Sequence, residues 1–175
     1  MNDGKLRRMV LTAMFAALCC VATVLIRVPT LSGYTNLGDA FVLLGSFILG
    51  PWYGALAGGI GSGFADLLAG YGYYIPGSVL IKGAAAWMAG SLLGVFFRKG
   101  KKPGIGALLV SALAAEAIVV AGYFGYKALI LGKELAAAAS IPNNLVQGAA
   151  GIAISIPLYR VLSKIPQLRQ YFWKG

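Results

Sequence analysis

The sequence predicts an all-α membrane protein with six transmembrane helices and both termini in the cytoplasm. Hydrophobic residues make up 59% of its 175 residues and charged residues only 11%, whereas soluble globular domains carry about 25% charged residues. The mean hydropathy is +0.79. At about 20 residues for each helical crossing plus short turns, six helices use up the chain. We therefore expect residues 1–175 to form one integral membrane domain.

The distribution of basic residues predicts the orientation of the chain in the membrane. The formal net charge is +10, but the positive charges cluster at the chain ends and in one turn, which indicates membrane topology rather than nucleic-acid binding. With the N-terminus inside, the cytoplasmic flanks hold Lys5, Arg7, Arg8, Arg98, Lys99, Lys101, Lys102, Arg160, Lys164, Arg169 and Lys174, and the outer side holds Arg27, Lys127 and Lys133. This asymmetry follows the positive-inside rule.

The predicted spans follow from the apolar runs and their breaks. The first run is longer than the ~7–15 apolar residues of a signal peptide, so we expect a retained helix. Proline and glycine after it predict a loop over residues 29–35, and Gly50-Pro51 predicts a tight reversal between the second and third helices. The expected spans are 9–26, 37–49, 52–69, 77–97, 103–126 and 141–162, with an aromatic turn at 70–76 and a short helix-prone stretch at 134–139.

Small residues predict close helix packing. The third span has glycine at positions 54, 58, 59, 61 and 63, which lets neighbouring helices approach it backbone to backbone. A nucleotide-binding loop is not predicted there, because no strand precedes the glycines and no phosphate-binding Lys-Ser/Thr follows them. Ala13 and Ala17 lie one turn apart on the first helix, where they either receive another helix or serve internal packing.

Polar side chains from five predicted helices fall at one depth, in the outer half of the membrane. With a rise of about 1.5 Å per residue, Lys82 and Gln147 lie roughly 8 Å from the outer end of their helices. Ionisable groups in a membrane are costly and normally mark a functional site. We predict an outward-facing pocket for a small polar ligand, with Tyr34, Tyr73, Tyr74 or Trp87 available for stacking. The candidate substrate-binding residues are Asn36, Asp39, Asp66, Tyr74, Lys82, Glu116, Asn144 and Gln147.

Two structural alternatives remain open for these residues. Lys82 can form an ion pair with Asp66 or Glu116 that only holds helices together, and Asp39 can be a helix N-cap. No Walker motif or nucleophile–base pair is present, so an enzyme is not predicted. The chain has no histidine, and its two cysteines are adjacent, so neither a metal site nor a disulfide framework is predicted.

Several motifs resemble the substrate-binding S components of energy-coupling factor (ECF) vitamin transporters. They are LTAMFAAL at 11–18, GYTNLGD at 33–39, LGPWYGALAGGIG at 49–61, ADLL at 65–68 and IKG at 81–83. The resemblance covers nearly the whole chain, but its specific motifs lie in residues 11–83. Within the family, the sequence is most similar to the group for riboflavin-type, hydroxymethylpyrimidine or pyridoxine uptake.

The resemblance implies a six-helix subunit of the cell membrane that captures a vitamin from outside. It implies docking on a transmembrane coupling subunit with two cytoplasmic ATPases that use ATP, and no cofactor in this chain. It assigns the coupling-subunit contact to Ala13 and Ala17 and a gating role to residues 34–36. It also implies that the whole subunit topples in the membrane to deliver its substrate.

The substrate class is predicted from the residues of the candidate site. Carboxylates, amides and tyrosines suit a pyridine or pyrimidine ring with hydroxymethyl groups, so pyridoxine or hydroxymethylpyrimidine is the expected substrate. Riboflavin and a queuosine precursor are alternatives. A stand-alone carrier with Asp66 or Glu116 as a proton site is a further alternative, although the helices show no clear inverted repeat. A purely structural membrane scaffold is the last alternative function.

Overall fold

The computed structural model describes residues 3–30, 33–98 and 103–173. Six α-helices form a bundle within this part of the chain, as the sequence predicts. They are α1 (Asp3–Leu25), α2 (Gly38–Leu49), α3 (Pro51–Leu68), α4 (Ile75–Arg98), α5 (Ile105–Gly125) and α6 (Ser140–Leu162). The last turn of α5 continues as a wider π-type turn, Tyr126–Ile130, and a 3₁₀ helix, Glu134–Ala139, occupies the stretch predicted to be helix-prone.

A β-hairpin replaces the loop that the sequence predicts between the first two helices. Strands β1 (Arg27–Thr30) and β2 (Gly33–Asn36) are antiparallel, with Arg27 opposite Asn36 and Thr30 opposite Gly33. The all-α prediction is therefore wrong for this connection. The physical reason is that the β-branched residues Val28 and Thr35 face each other across the ladder and favour an extended backbone, while proline is tolerated on an edge strand.

The lengths of the helices limit which of them cross a membrane. Four helical stretches of the described chain are long and apolar enough to span it: Gly4–Leu25, Gly72–Phe97, Ile105–Ile130 and Glu134–Leu162. Helix α2 has 12 residues and is therefore about 18 Å long, well short of the ~30 Å hydrocarbon core. The chain is thus a multi-pass membrane protein, and its six complete crossings stay a prediction.

Helix α2 is the most enclosed helix of the bundle. Every one of its residues except Phe41 is buried, as expected for a helix that is apolar all round. Helix α3, by contrast, exposes one face that includes Trp52, Leu56 and Phe64.

The glycines of α3 form a packing surface, as predicted. A Cβ atom on Gly54 would lie 2.6 Å from the Cα of Ser46 in α2, and one on Gly59 would lie 2.8 Å from the carbonyl oxygen of Val79 in α4. A Cβ on Gly61 would lie 2.5 Å from a backbone carbonyl oxygen of α1. Three neighbouring helices thus contact α3 at distances that only glycine permits.

Both ends of the chain meet at the same end of the bundle, which we call the terminal end. Arg7 donates a hydrogen bond to Gln170 at 3.5 Å, and its guanidinium carbon lies 5.0 Å from the ring centre of Tyr171. The backbone N–H of Trp173 donates to the carbonyl of Ile48 at 2.7 Å. The opposite end carries the hairpin, and we call it the hairpin end. The basic residues at 99–102 and 174 that support a cytoplasmic terminal end lie outside the described residues.

Candidate functional site

A buried polar network joins three helices and the hairpin near the hairpin end. The carboxylate of Asp39 pairs with the ammonium of Lys82 and accepts a hydrogen bond from Gln147 Nε2 at 2.7 Å. The backbone N–H of Asn36 donates to Gln147 Oε1 at 3.0 Å. Only 1% of Asp39 and 3% each of Lys82 and Gln147 are exposed. We call these four residues the Asp39 network.

The start of α2 aims Asp39 into this network. The side chain of Asn36 accepts a hydrogen bond from the N–H of Gly38 at 2.8 Å, which closes a tight turn before the helix. Asp39 lies inside α2, and the cap position is taken by Leu37, which makes no side-chain cap bond. The N-cap alternative for Asp39 is therefore wrong. Lys82 pairs with Asp39, whereas the sequence suggested Asp66 or Glu116 as its partner.

The surroundings of Asp39 and Lys82 compensate part of the cost of burying them. Both carboxylate oxygens of Asp39 have a donor, and the ammonium of Lys82 also lies 5.3 Å from the ring centre of Tyr123, within cation–π range. A buried ion pair offsets its desolvation only when its geometry is good and the remaining hydrogen-bonding capacity is used. The bond from Gln147 and the ring of Tyr123 supply part of this completion.

Glu116 lies beside the network and also faces a groove. It is close enough to Asp39 and Lys82 to interact with both electrostatically. Its Oε2 is buried and has no hydrogen-bond partner within the described part of the chain, and the same holds for Asn144 Nδ2. Both residues line a groove of about 750 Å³ between α5 and α6. These two atoms therefore keep free hydrogen-bonding capacity at the site.

A cluster of tyrosines covers the hairpin end next to the network. The rings of Tyr71, Tyr73, Tyr74, Tyr123 and Tyr126 form a chain of contacts with centre-to-centre distances from 4.7 to 6.4 Å. Asp66 interacts electrostatically with Tyr73, Tyr74 and Tyr123. Asp66 and Tyr74 thus belong to this tyrosine cluster, which meets the Asp39 network at Tyr123.

The sequence analysis missed four residues of this region: Ser78, Tyr123, Tyr126 and Lys127. The hydroxyls of Ser78 and Tyr123 are hydrogen-bonded at 2.6 Å, and the ammonium of Lys127 lies 5.4 Å from the ring centre of Tyr74. The spacing along the helix could have indicated Tyr123, because it follows Glu116 by seven residues and so shares its helix face. Lys127, which the charge count assigns to the outer side of the membrane, is buried.

The other residues considered for ring stacking lie elsewhere. Trp87 is 39% exposed and contacts Trp52 edge-on at 6.0 Å, away from the polar network. The side chain of Tyr34 lies outside the described residues. Within the described chain, no group of three or more His, Cys, Asp or Glu side chains is arranged to hold a metal ion. The described side chains of the site offer hydrogen bonds, charge and aromatic contact.

The small residues of α1 fall on two different faces. Ala13 and Ala17 are exposed and line a groove of about 570 Å³ between α1 and α3. Ala16 instead presents its backbone to Gly61, next to the buried Cys19. The alternative that Ala13 and Ala17 serve internal packing is therefore wrong, and their face is open to a partner.

Comparison with known proteins identifies the family. The family model described as "ECF-type riboflavin transporter, S component" matches residues 4–164. The chain belongs to this family. S components are transport subunits rather than enzymes, so the protein is a membrane-embedded substrate-binding subunit for vitamin uptake. Its association with other ECF transporter subunits follows from the same membership.

Two further similarities are to an uncharacterized protein and to a solved structure. An uncharacterized protein of Pyrococcus woesei is 32% identical over 146 residues, which covers 82% of this chain and 93% of that protein. The crystal structure of the S component for biotin from an ECF-type ABC transporter matches with a TM-score of 0.71, covering 99% of both chains at 18% identity. At that identity the structural match shows that this S component shares the fold.

We expect Lys82→Met to destabilise this S component strongly, since it leaves the buried carboxylate of Asp39 without its counter-ion. Removing one partner of a buried pair costs roughly 3–5 kcal/mol. The double variant Asp39→Asn/Lys82→Met should recover much of the loss, because the buried charge is gone and Asn can still accept from Gln147. Reversible unfolding in detergent measures the free energy of unfolding of the parent protein and of both variants. A single variant as stable as the parent protein would contradict the buried pair.

Proposed function

We propose that this S component captures a ring-bearing vitamin from outside the cell at the hairpin end. The observation that carries the proposal is the convergence of polar groups from α2, α4, α5, α6 and the hairpin at one level of an otherwise apolar bundle. Such groups in a membrane are costly and normally serve a function. The positive-inside rule supports an orientation in the cell membrane with the terminal end on the cytoplasmic side and the hairpin end outside.

The charges of the site favour a substrate with hydrogen-bond donors. Asp39 and Lys82 neutralise each other, so the carboxylate of Glu116 remains as an acceptor. Pyridoxine and hydroxymethylpyrimidine fit, because each is a small heterocycle with hydroxyl donors and a basic ring nitrogen. Riboflavin is the second candidate, favoured by the description of the family that the chain matches.

The hairpin acts as the gate of the site in this proposal. Its last residue, Asn36, is tied to α6 through the hydrogen bond to Gln147, and Gln147 in turn holds Asp39. Opening of residues 34–36 would therefore break one bond of the network and loosen the orientation of Gln147. Substrate capture and hairpin position are coupled through this single side chain.

We expect the purified protein to bind at least one vitamin of a panel of pyridoxine, hydroxymethylpyrimidine, riboflavin and a queuosine precursor, with one ligand per chain. Asp39→Asn should weaken that binding by about tenfold or more, equivalent to ~1.4 kcal/mol, because Lys82 loses its counter-ion and the Asp39 network is weakened. Isothermal titration in detergent measures both. The exposed acid Glu134 supplies the control, and Glu134→Gln should bind like the parent protein. Failure of every ring-bearing vitamin to bind would refute the proposal.

We also propose that the face formed by Ala13 and Ala17 docks on the coupling subunit, which works with two cytoplasmic ATPases. Both alanines are exposed beside an apolar groove, and small residues let a second helix approach closely. Ala13→Leu/Ala17→Leu should abolish co-purification with the coupling subunit and ATP-driven uptake, while vitamin binding stays unchanged. Ala84→Leu, at an exposed position on α4, is the matched control. Uptake into liposomes by the chain alone would instead indicate a stand-alone carrier.

A further inference from the structure

We propose that the ring of the substrate docks in the groove between α5 and α6, through an edge that carries an N–H donor next to an acceptor. This inference rests on the proposed vitamin capture and specifies where and how the ring is held. The donor of the ring binds Glu116 Oε2, and the acceptor of the ring binds Asn144 Nδ2.

The two protein atoms are complementary, and neither has a hydrogen-bond partner among the described residues. Glu116 is only 7% exposed, yet its Oε2 has no hydrogen-bond partner in the described part of the chain, and neither has the buried Nδ2 of Asn144. Buried polar atoms are nearly always hydrogen-bonded, because they lose their hydration on burial. Both residues line one groove, so an unpartnered acceptor and an unpartnered donor lie just beneath its surface and indicate a ligand with the opposite pattern.

Helix α6 leaves space for the carboxylate at this position. A Cβ atom on Gly148 would lie 2.7 Å from Glu116 Oε2, so a larger residue there would displace the carboxylate. Asn144 precedes Gly148 by four residues and thus lies on the same helix face, one turn nearer the hairpin end. Glycine and asparagine at this spacing place a carboxylate and an amide along one line of the groove.

The rest of the groove is apolar and of suitable size. Its walls include Leu113, Val120, Phe124, Ile141, Leu145 and Ile152. Its volume of about 750 Å³ lies in the range of small-molecule sites. A lipid acyl chain fits the walls but has no polar atom for Glu116 or Asn144. A planar heterocycle with apolar faces and one polar edge satisfies both the walls and the two polar atoms.

This edge chemistry separates the candidate vitamins. Hydroxymethylpyrimidine carries an exocyclic amine next to a ring nitrogen, and the pyrimidinedione edge of riboflavin carries an N–H between two carbonyls. In pyridoxine, the ring nitrogen and the ring hydroxyl are not neighbours on the ring. The groove therefore favours an aminopyrimidine or a pyrimidinedione over pyridoxine.

The test compares riboflavin and hydroxymethylpyrimidine with riboflavin methylated at the N–H of its pyrimidinedione edge. We expect at least one of the two unmodified ligands to bind, and methylation to abolish riboflavin binding if riboflavin is the one. Gly148→Ala and Asn144→Leu should each weaken binding by about tenfold or more, since one moves the acceptor and the other removes the donor. Ser111→Ala and Ser155→Ala are matched controls, because they remove buried hydroxyls of α5 and α6 that also lack partners but do not line the groove.

Two results would overturn the inference, and they are distinguishable. If the parent protein binds a vitamin and both groove variants bind it equally well, the ring docks elsewhere while the proposed function stands. Native mass spectrometry can then test for a lipid in the groove. A lipid that the parent protein retains and the groove variants lose would identify an acyl chain as the occupant. If no vitamin binds the parent protein, the proposed function fails and this inference fails with it.

Discussion

The ion pair between Asp39 and Lys82 is the constraint on which the hairpin end of the molecule depends. Two charges inside an apolar bundle lose several kcal/mol of hydration each, and their attraction compensates only if further hydrogen bonds complete the site. Gln147 and the ring of Tyr123 supply that completion. The pair thereby fixes α2, α4, α5 and α6 relative to one another. Asp39 holds the Nε2 end of the Gln147 amide, and this orients the Oε1 end toward the hairpin, where it accepts from the backbone N–H of Asn36.

The polar network requires helices that approach closely, and glycine provides this on both sides of it. On α6, a Cβ on Gly151 would lie 3.0 Å from the Cβ of Asp39, and Gly148 makes room for Glu116. On α3, glycines bring α1, α2 and α4 close to the backbone of α3. Van der Waals packing of small residues is a main source of helix association in lipid. The same residues that hold the bundle together therefore leave the space in which the site is built.

Much of the fold and part of the site could be predicted from the sequence. Hydropathy located the six helices, and counting residues along each helix placed Asp39, Lys82, Glu116 and Gln147 at one depth. Depth says nothing about the rotation of a helix, so the partner of Lys82 was assigned wrongly and the enclosed position of α2 was missed. Tyr123 and Lys127 were overlooked for a different reason, since an aromatic or basic residue near a helix end is common in membrane proteins. The β-hairpin escaped prediction because Pro29 and the nearby glycine suggested an irregular loop.

The structure of the protein with its bound vitamin tests the central claim most directly. Our account predicts that a polar atom of the vitamin lies within hydrogen-bond distance, roughly 2.7–3.2 Å, of the Asp39 network, Glu116 or Asn144, with the pair of Asp39 and Lys82 still intact. A vitamin bound with no polar atom near the Asp39 network, Glu116 or Asn144 would contradict it. That result would reduce the buried ion pair to a structural element of the bundle.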